Sequence, residues 1–500
     1  MVVRGITTRG PNETYMTIHS RVVSAQEQER FAELSGDRNP MHMDPVAARR
    51  TQAGAPVVHG IHTLLWALDT AVATGAIAAA RRIKASFLKW IYLGDLAEMS
   101  VASAGDHLRI QVEVGGMTVL TADIFALPQP TTPPSVELKD SPLAPRPSAL
   151  DLSFGQLEGR SGDAYVGIAA DFRAAFPALS AAIGDSAVAE IAACSYIVGM
   201  EAPGLHSMFS KADLTLAPET LVEATRTALS FQISYLDARF RKGRIRVAGR
   251  CIHGTLEVFV RVPPVRQATM EIIAPHVFRS EFSGMHALVI GGSRGLGELT
   301  AKLIAAGGGV PTITYAIGRA EAEETATNIA QWGAAADTMP YDVRQPAAAQ
   351  LEKLPVLPTH LFYFATNTIY RPKKDVLSSA MFAEFTQFYL TGFYDLCETL
   401  LRLRAQAGVT GARLMVFYPS TVFLDERPPG MAEYAMTKAA GEQLCFDMNR
   451  DLPNIEIICY RLPKLPTDQT AGVLPERSLD ALEAMLPIIR RMRDLRGPGD

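Results

Sequence analysis

Between Asp37 and Asp44 the chain sets Asp37, Asn39, His42 and Asp44 around Pro40, and His59-Gly60 then opens a long, alanine-rich apolar run. That run reads as a buried helix, while Pro40 is expected to keep most of the acidic segment out of one. A loop carrying a carboxylate and an imidazole beside a helix N-terminus has the parts for moving a proton next to a carbonyl. The two side chains can share general acid–base work while amides near Gly60 hold a developing oxyanion. The competing reading, in which Asp, Asn and Pro simply build a turn, requires neither His42 nor the downstream His-Gly.

The stretch SGDRNPMHMDP, followed by VVHG, resembles the MaoC-like (R)-specific enoyl hydratase/3-hydroxyacyl dehydratase family, a branch of the hot-dog fold. The resemblance implies Asp37 and His42 as the catalytic pair, Asn39 as their orienter and the Gly60 amide as the donor to a thioester oxygen.

A second set of chemistry-bearing residues lies near the C-terminus. A strand, HALVIGG, runs into GGSRGLGELTAKLIAAGGG, which spaces Gly291, Gly295 and Gly297 as GxxxGxG. Glycine is needed where backbone approaches a pyrophosphate and where a helix packs closely on a strand. The next strand, VPTITYAIGRA, ends without an acidic residue, and Arg294 and Arg319 stand nearby. An acidic group there would repel a ribose 2′-phosphate, whereas guanidinium groups favour one. Further on, Tyr434 and Lys438 lie four residues apart, on one helix face. The lysine cation can lower the phenol's pKa and let Tyr434 give a proton to a carbonyl.

These motifs together resemble the short-chain dehydrogenase/reductase family, of the 3-oxoacyl-thioester reductase kind. The resemblance implies NADP(H), held by Gly291, Ser293, Arg294, Gly295, Leu296, Gly297, Arg319, Asp342, Val343, Tyr434 and Lys438. It also implies that Lys438 holds the nicotinamide ribose and that Ser420 polarises the substrate carbonyl, with Thr421 the alternative one residue on. The chain departs from the family pattern at Ile290, where a threonine is usual. Asn367 in FYFATNT is displaced, and Tyr389 takes the place of the relay asparagine. The last segment, SLDALEAMLPIIRRMRDL, reads as an amphipathic helix with no final strand after it.

Five hundred residues, 48% of them hydrophobic and 20% charged, exceed one ordinary core and describe a folded chain. A net charge of −4 gives no reason to expect nucleic acid. The five cysteines are scattered, which argues for reduced thiols in a cytoplasmic setting and against a disulfide framework or a metal site. The N-terminus has no apolar signal core, and the most apolar window, Ile61 to Ala80, contains His62 and Asp69, so no membrane span is expected. Arg49-Arg50 and Arg81-Arg82 could meet the phosphates of a coenzyme A or phosphopantetheine carrier.

Residues 14–23 read as an opening strand, and Ser24 as the cap of a short helix ending at Gly36. KASFLKWIYLGD, LRIQVEVG and MTVLTADIFAL read as strands. Proline density from Pro128 to Ser148 marks a linker. Residues 150–280 echo the first unit: PGLHSMF resembles HGIHTLL, and ALSFQISYLDA with RIRVAGR resembles ASFLKWIYLGD with LRIQVEV. LSAAIGDSAVAE stands where the catalytic stretch would be, without its Asp or His, and His206 is expected to be structural.

The expected fold class is therefore α+β followed by α/β. A tandem hot-dog is expected to comprise 1–128, a 129–149 linker and a degenerate 150–280 half. A Rossmann-type short-chain dehydrogenase/reductase domain is expected over 281–500. The expected function is a bifunctional dehydratase and NADPH-dependent ketoreductase of fatty-acid-like or polyketide-like biosynthesis. It would act on acyl thioesters of acyl carrier protein or coenzyme A, as a homodimer or higher homo-oligomer. Two alternatives stay open for the last domain: a different redox step, or nucleotide sensing and docking.

Overall fold

The computed structural model describes residues 6–8, 14–126, 144–217, 228–369, 376–409, 411–468 and 479–494. Two compact units meet in sequence between Pro263 and Pro264. This corrects the expected boundary at 280. Met270, Ile273 and Val277 pack into the second unit's core because their apolar side chains complete the layer around Phe282 and Leu303. Most of the expected linker, 129–143, lies outside the described residues.

The first unit is one antiparallel sheet. Its strands are β1 (Ile6–Thr8), β2 (Thr14–Val22), β3 (Arg82–Phe87), β4 (Leu96–Ala104), β5 (His107–Val114), β6 (Met117–Phe125), β7 (Ser161–Ala164), β8 (Ser207–Leu216), β9 (Leu229–Asp237), β10 (Lys242–Ala248) and β11 (Ile252–Val260). They run in the order β1-β2-β4-β5-β6-β3-β8-β11-β10-β9-β7. Beyond the short β1 the two halves repeat one order, β2-β4-β5-β6-β3 and β7-β9-β10-β11-β8, joined where β3 pairs with β8 at Ala85 and Ala212. Arg82 clamps that seam, with its Nε 2.7 Å and its Nη2 2.8 Å from the two carboxylate oxygens of Asp213. One apolar core runs through both halves. They therefore share a core, and are not the separate domains expected from 1–128 and 150–280.

Each half wraps its strands around one helix, Gly60–Ala73 and Asp185–Tyr196. Both helices are apolar nearly all round, which suits complete burial. Glu190 ties the second helix to the sheet, its carboxylate accepting from the amides of Arg250, Cys251 and Ile252 at 2.9–3.0 Å. The expected echo between HGIHTLL and PGLHSMF is out of register. His59-Gly60 opens a helix, but Ser207 begins strand β8, and the helical counterpart lies earlier in DSAVAEIAACSY. Spacing of apolar residues over seven positions could not separate a buried helix turn from a buried strand. KASFLKWIYLGD likewise is not one strand: β3 stops at Phe87, and Lys89-Trp90-Ile91 leave the sheet to line a cavity.

The second unit is a parallel sheet of β12 (His286–Ile290), β13 (Val310–Tyr315), β14 (Asp337–Pro340), β15 (His360–Tyr363), β16 (Leu414–Thr421) and β17 (Ile455–Leu462). Their order is β14-β13-β12-β15-β16-β17, so the direction of winding reverses between β12 and β15. In open parallel sheets ligands bind at the carboxyl ends of the strands at that reversal. The central strands are buried along their length, as two helical layers demand. Helices Gly295–Ala306, Gly392–Gln406 and Ala432–Asp451 follow β12, precede β16 and precede β17 respectively; Ala481–Asp494 packs into the core beside Gly295–Ala306. Among the described residues no strand follows β17, and no single helix is long and apolar enough to cross a membrane. All five cysteines are free thiols.

Candidate active sites

Helix Ala25–Ser35 delivers the chain to the first site. Ser24 and Glu27 form a capping box at its start, and Gly36, at φ 75°, ends it. Pro40 does not exclude helix here. It sits at the first position of a single turn, Pro40–Met43, capped by Asn39, whose Oδ1 accepts from the Met41 amide at 3.0 Å. Proline suits that position because its missing N–H has no helical partner to lose. Asp44 caps the next turn through Val46 and Ala47, which makes it structural.

Asp37, His42 and His59 bring their side-chain donor atoms within 4.8 Å of one another. Asp37 is buried, with Oδ1 accepting from the Asn39 amide at 3.1 Å and Oδ2 from the Ser195 hydroxyl at 2.6 Å. Burial raises its pKa, while His42, Ser195 and Asn39 oppose that rise. His42 places Nδ1 2.8 Å from the Val57 carbonyl. A carbonyl only accepts, so Nδ1 carries the hydrogen and Nε2 is left for proton transfer. Burial lowers the His42 pKa and so favours the neutral ring, with the Asp37 charge opposing.

Asn39 donates through Nδ2 to the carbonyls of Gly199 and Gly204, at 2.8 and 3.1 Å. Gly60 is the first residue of its helix, where an amide lacks an intrahelical acceptor. A Cβ on Gly60 would stand 2.8 Å from the Phe87 ring. Asp37, His42 and Gly60 border a cleft lined also by Lys89, Trp90, Ser195, Met208 and Phe209. Both halves of the sheet therefore line it.

Three contributors escaped the sequence reading. His59 donates from Nε2 to the Asp37 carbonyl at 3.0 Å and stacks on His42 at 3.9 Å. Gln28 donates to the carbonyls of Val57 and His42. Ser195 comes from the half without a catalytic pair. Only His59 carried a local signal, since it stands beside Gly60. Arg82 pairs with Asp213, with which a carrier phosphate would compete. His206 pairs with Asp151 at 2.9 Å.

In the second unit the glycine turn joins β12 to helix Gly295–Ala306. Gly291 has φ 74°, and a Cβ on Gly297 would lie 2.3 Å from the Gly291 carbonyl oxygen. Thr314 anchors the turn, its hydroxyl accepting from the Gly291 amide at 3.1 Å and donating to the Val289 carbonyl at 3.0 Å. Gly295, at φ 58°, has nothing nearer a built Cβ than Thr467 at 3.9 Å. Space above a helix N-terminus of twelve residues fits a dinucleotide pyrophosphate. Ser293 is buried, Leu296 packs on the core and Val343 is buried.

The expected phosphate-binding cations already have carboxylate partners. Arg294 lies 3.2 Å from Asp468, and Arg319, largely exposed, lies 2.7 Å from Glu323. Asp342 is held by Arg344.

Tyr434 and Lys438 share a face of helix Ala432–Asp451, but the lysine does not acidify the phenol. Its Nζ donates to the Pro419 carbonyl at 2.7 Å and lies 4.0 Å from the Tyr389 ring centre, against 5.9 Å from that of Tyr434. Burial dominates both groups: it pushes the Tyr434 phenol up to about 12, partly opposed by a hydrogen bond with Thr421, and pulls Lys438 down to about 7. Ser420 is also corrected. Its hydroxyl donates to Glu442 at 2.5 Å, and Arg461 holds Glu442 in turn. Successive strand residues face opposite sides, so Thr421, rather than Ser420, reaches Tyr434. Tyr389 lies on a π-helical turn, Gln387–Thr391, and bonds to the Thr366 hydroxyl.

A carboxylate–imidazole pair beside a helix N-terminus, and a tyrosine–lysine helix beside a parallel-sheet glycine turn, define two enzyme domains. Residues 7–123 match the MaoC like domain family and residues 285–474 the short chain dehydrogenase family, so this chain joins a MaoC-like dehydratase domain to a short-chain dehydrogenase domain. No curated protein matches the chain. Among solved structures it is similar to a gluconate 5-dehydrogenase from Burkholderia cenocepacia J2315 in complex with NADP and tartrate. That match has 22% identity over 38% of this chain and 76% of the other, with a TM-score of 0.34. The landomycin C-6 ketoreductase LanV with bound NADP and rabelomycin matches at 19% identity over 44% and 93%, with a TM-score of 0.38. A 7α-hydroxysteroid dehydrogenase complexed with NADH and 7-oxo glycochenodeoxycholic acid matches at 20% identity over 38% and 76%, with a TM-score of 0.34.

Proposed function

We propose that the chain is a bifunctional enzyme of fatty-acid-like or polyketide-like biosynthesis, an (R)-3-hydroxyacyl-thioester dehydratase fused to an NADPH-dependent 3-oxoacyl-thioester reductase. On this reading the first unit is a tandem hot-dog with one live half. Its substrates are thioesters of acyl carrier protein or coenzyme A, and the chain self-associates. The observation that carries the reading is the placement of Asp37, His42 and Gly60 together on one cleft.

In the dehydratase, the Gly60 amide and the positive end of its helix hold the thioester oxygen as enolate charge develops at C2. His42 Nε2 takes the C2 proton, since Nδ1 is occupied by Val57. Asp37, favoured in its acid form by burial, gives a proton to the C3 hydroxyl, which leaves as water. In the reductase, the glycine turn and helix Gly295–Ala306 hold the pyrophosphate of NADPH, which when bound supplies a hydride. Tyr434, bonded to Thr421, supplies the proton to the substrate oxygen. A 2′-phosphate would compete with Asp468 for Arg294 and with Glu323 for Arg319.

The charge of Lys438 is present below about pH 7 and lost above it. Reduction that needs the ammonium should therefore fall as pH rises through 7, while hydration of an enoyl thioester does not follow that limb. Steady-state rates across the range check this.

The packing of Lys438 against Tyr389 and Pro419 favours a second reading, in which the last domain binds nucleotide and turns over slowly. Incubation with NADPH and either a 3-oxoacyl or an enoyl thioester separates the two readings. Steady NADPH oxidation with the 3-oxoacyl compound supports the first. Tight NADPH binding without consumption of either supports the second.

A further inference from the structure

We infer that Ser195, on the central helix of the half that lacks a catalytic pair, is a positioning residue for Asp37; the inference rests on the dehydratase reading of the first unit. Ser195 is buried, lies 158 positions from Asp37 and lines the same cavity. Its hydroxyl meets Asp37 Oδ2 at 2.6 Å, a contact that either the carboxylate or the carboxylic acid can make.

Three further features direct the second half toward this carboxylate. Gly199, just beyond the same helix, lies so close that a Cβ would stand 2.3 Å from Asp37 Oδ1. Its carbonyl accepts from Asn39 Nδ2 at 2.8 Å, and that of Gly204 does so at 3.1 Å. The carboxylate is thus walled by one half and carried by the other. The two donors on it also differ in kind. The Asn39 amide only donates and so favours the anion, whereas a hydroxyl can donate to the carboxylate or accept from the acid. Ser195 can therefore stay bonded while Asp37 gives up and regains its proton, fixing the carboxyl plane through the cycle. In this arrangement the half without a catalytic pair completes the site.

The test compares dehydration of a 3-hydroxyacyl thioester by the full-length wild-type chain, Ser195→Ala and Ser195→Thr, as kcat and KM across pH. Without the serine hydroxyl the anion loses a donor, so the Asp37 pKa rises. The alkaline limb of kcat should then move up by about one pH unit. We expect kcat near neutrality to fall about tenfold with KM little changed, and Ser195→Thr, which keeps a hydroxyl, to retain the wild-type limb. A Ser195→Ala profile with its alkaline limb unmoved overturns the inference, whatever its rate. If Ser195→Ala loses cooperative melting, Ser195→Thr decides alone: a wild-type limb supports the role and a displaced one overturns it. A wild-type chain inactive on every thioester removes the dehydratase reading and the inference together. An active wild type with an unmoved variant limb removes only the inference.

Discussion

Asp37→Asn should lower hydration of an enoyl thioester by about 10³-fold, the scale of losing a positioned general acid–base group. The substitution is nearly isosteric, so the bonds to Asn39 and Ser195 can be replaced by amide equivalents and the fold should survive. What disappears is a group that carries a proton in one state and a charge in the other. Thermal melting should be close to wild type, and NADPH consumption with a 3-oxoacyl thioester should be unchanged, because Tyr434 and the glycine turn belong to the other compact unit. The measurement is loss of enoyl absorbance beside NADPH oxidation in one preparation. Hydration persisting at the wild-type rate would show that Asp37 is no proton carrier.

The second large effect is expected from Tyr434→Phe, which should reduce ketoreduction by about 10³-fold while leaving hydration intact. The phenol is the proton source on the proposed route, and its pKa, pushed up to about 12, keeps it protonated at neutral pH. A lysine-acidified phenol is not needed for donation, although the higher pKa weakens the driving force. The neighbouring strand residues refine the test. Thr421→Ala should lower reduction well beyond Ser420→Ala, since Thr421 bonds to Tyr434 whereas Ser420 is turned to Glu442. The reverse order would restore Ser420 as the carbonyl donor. Tight NADPH binding by all three variants would separate loss of chemistry from loss of the cradle.

Both sites were legible to the extent that their chemistry depends on short segments. SGDRNPMH sets a carboxylate, a capping amide and an imidazole within one turn, so local geometry alone places Asp37 near His42. The glycine turn and the Tyr434–Lys438 pair are similarly local, one set by backbone clearance and the other by helical period. The parallel sheet was legible too, because strands buried on both faces read as apolar runs between helices. The amplitude of the signal fell wherever a partner arrived from far along the chain. Ser195 sits in an alanine-rich helix with nothing to mark it. Asp468 is an ordinary acidic residue until the fold sets it against Arg294.

Short segments of sequence settle which functional groups this chain owns and which turns present them: a carboxylate and imidazole around Pro40, three glycines at the start of a helix, and a tyrosine and lysine one helical turn apart. What those groups face follows from long-range packing. It turned Ser420 away and Thr421 inward, moved the Lys438 charge from Tyr434 to Tyr389, and enclosed Asp37 between two halves of one sheet. Side-chain spacing is a property of a few consecutive dihedral angles. Burial and electrostatic partnership depend on atoms from separate elements, 22 residues apart for Ser420 and Glu442 and 158 for Asp37 and Ser195, which only the packed core brings together.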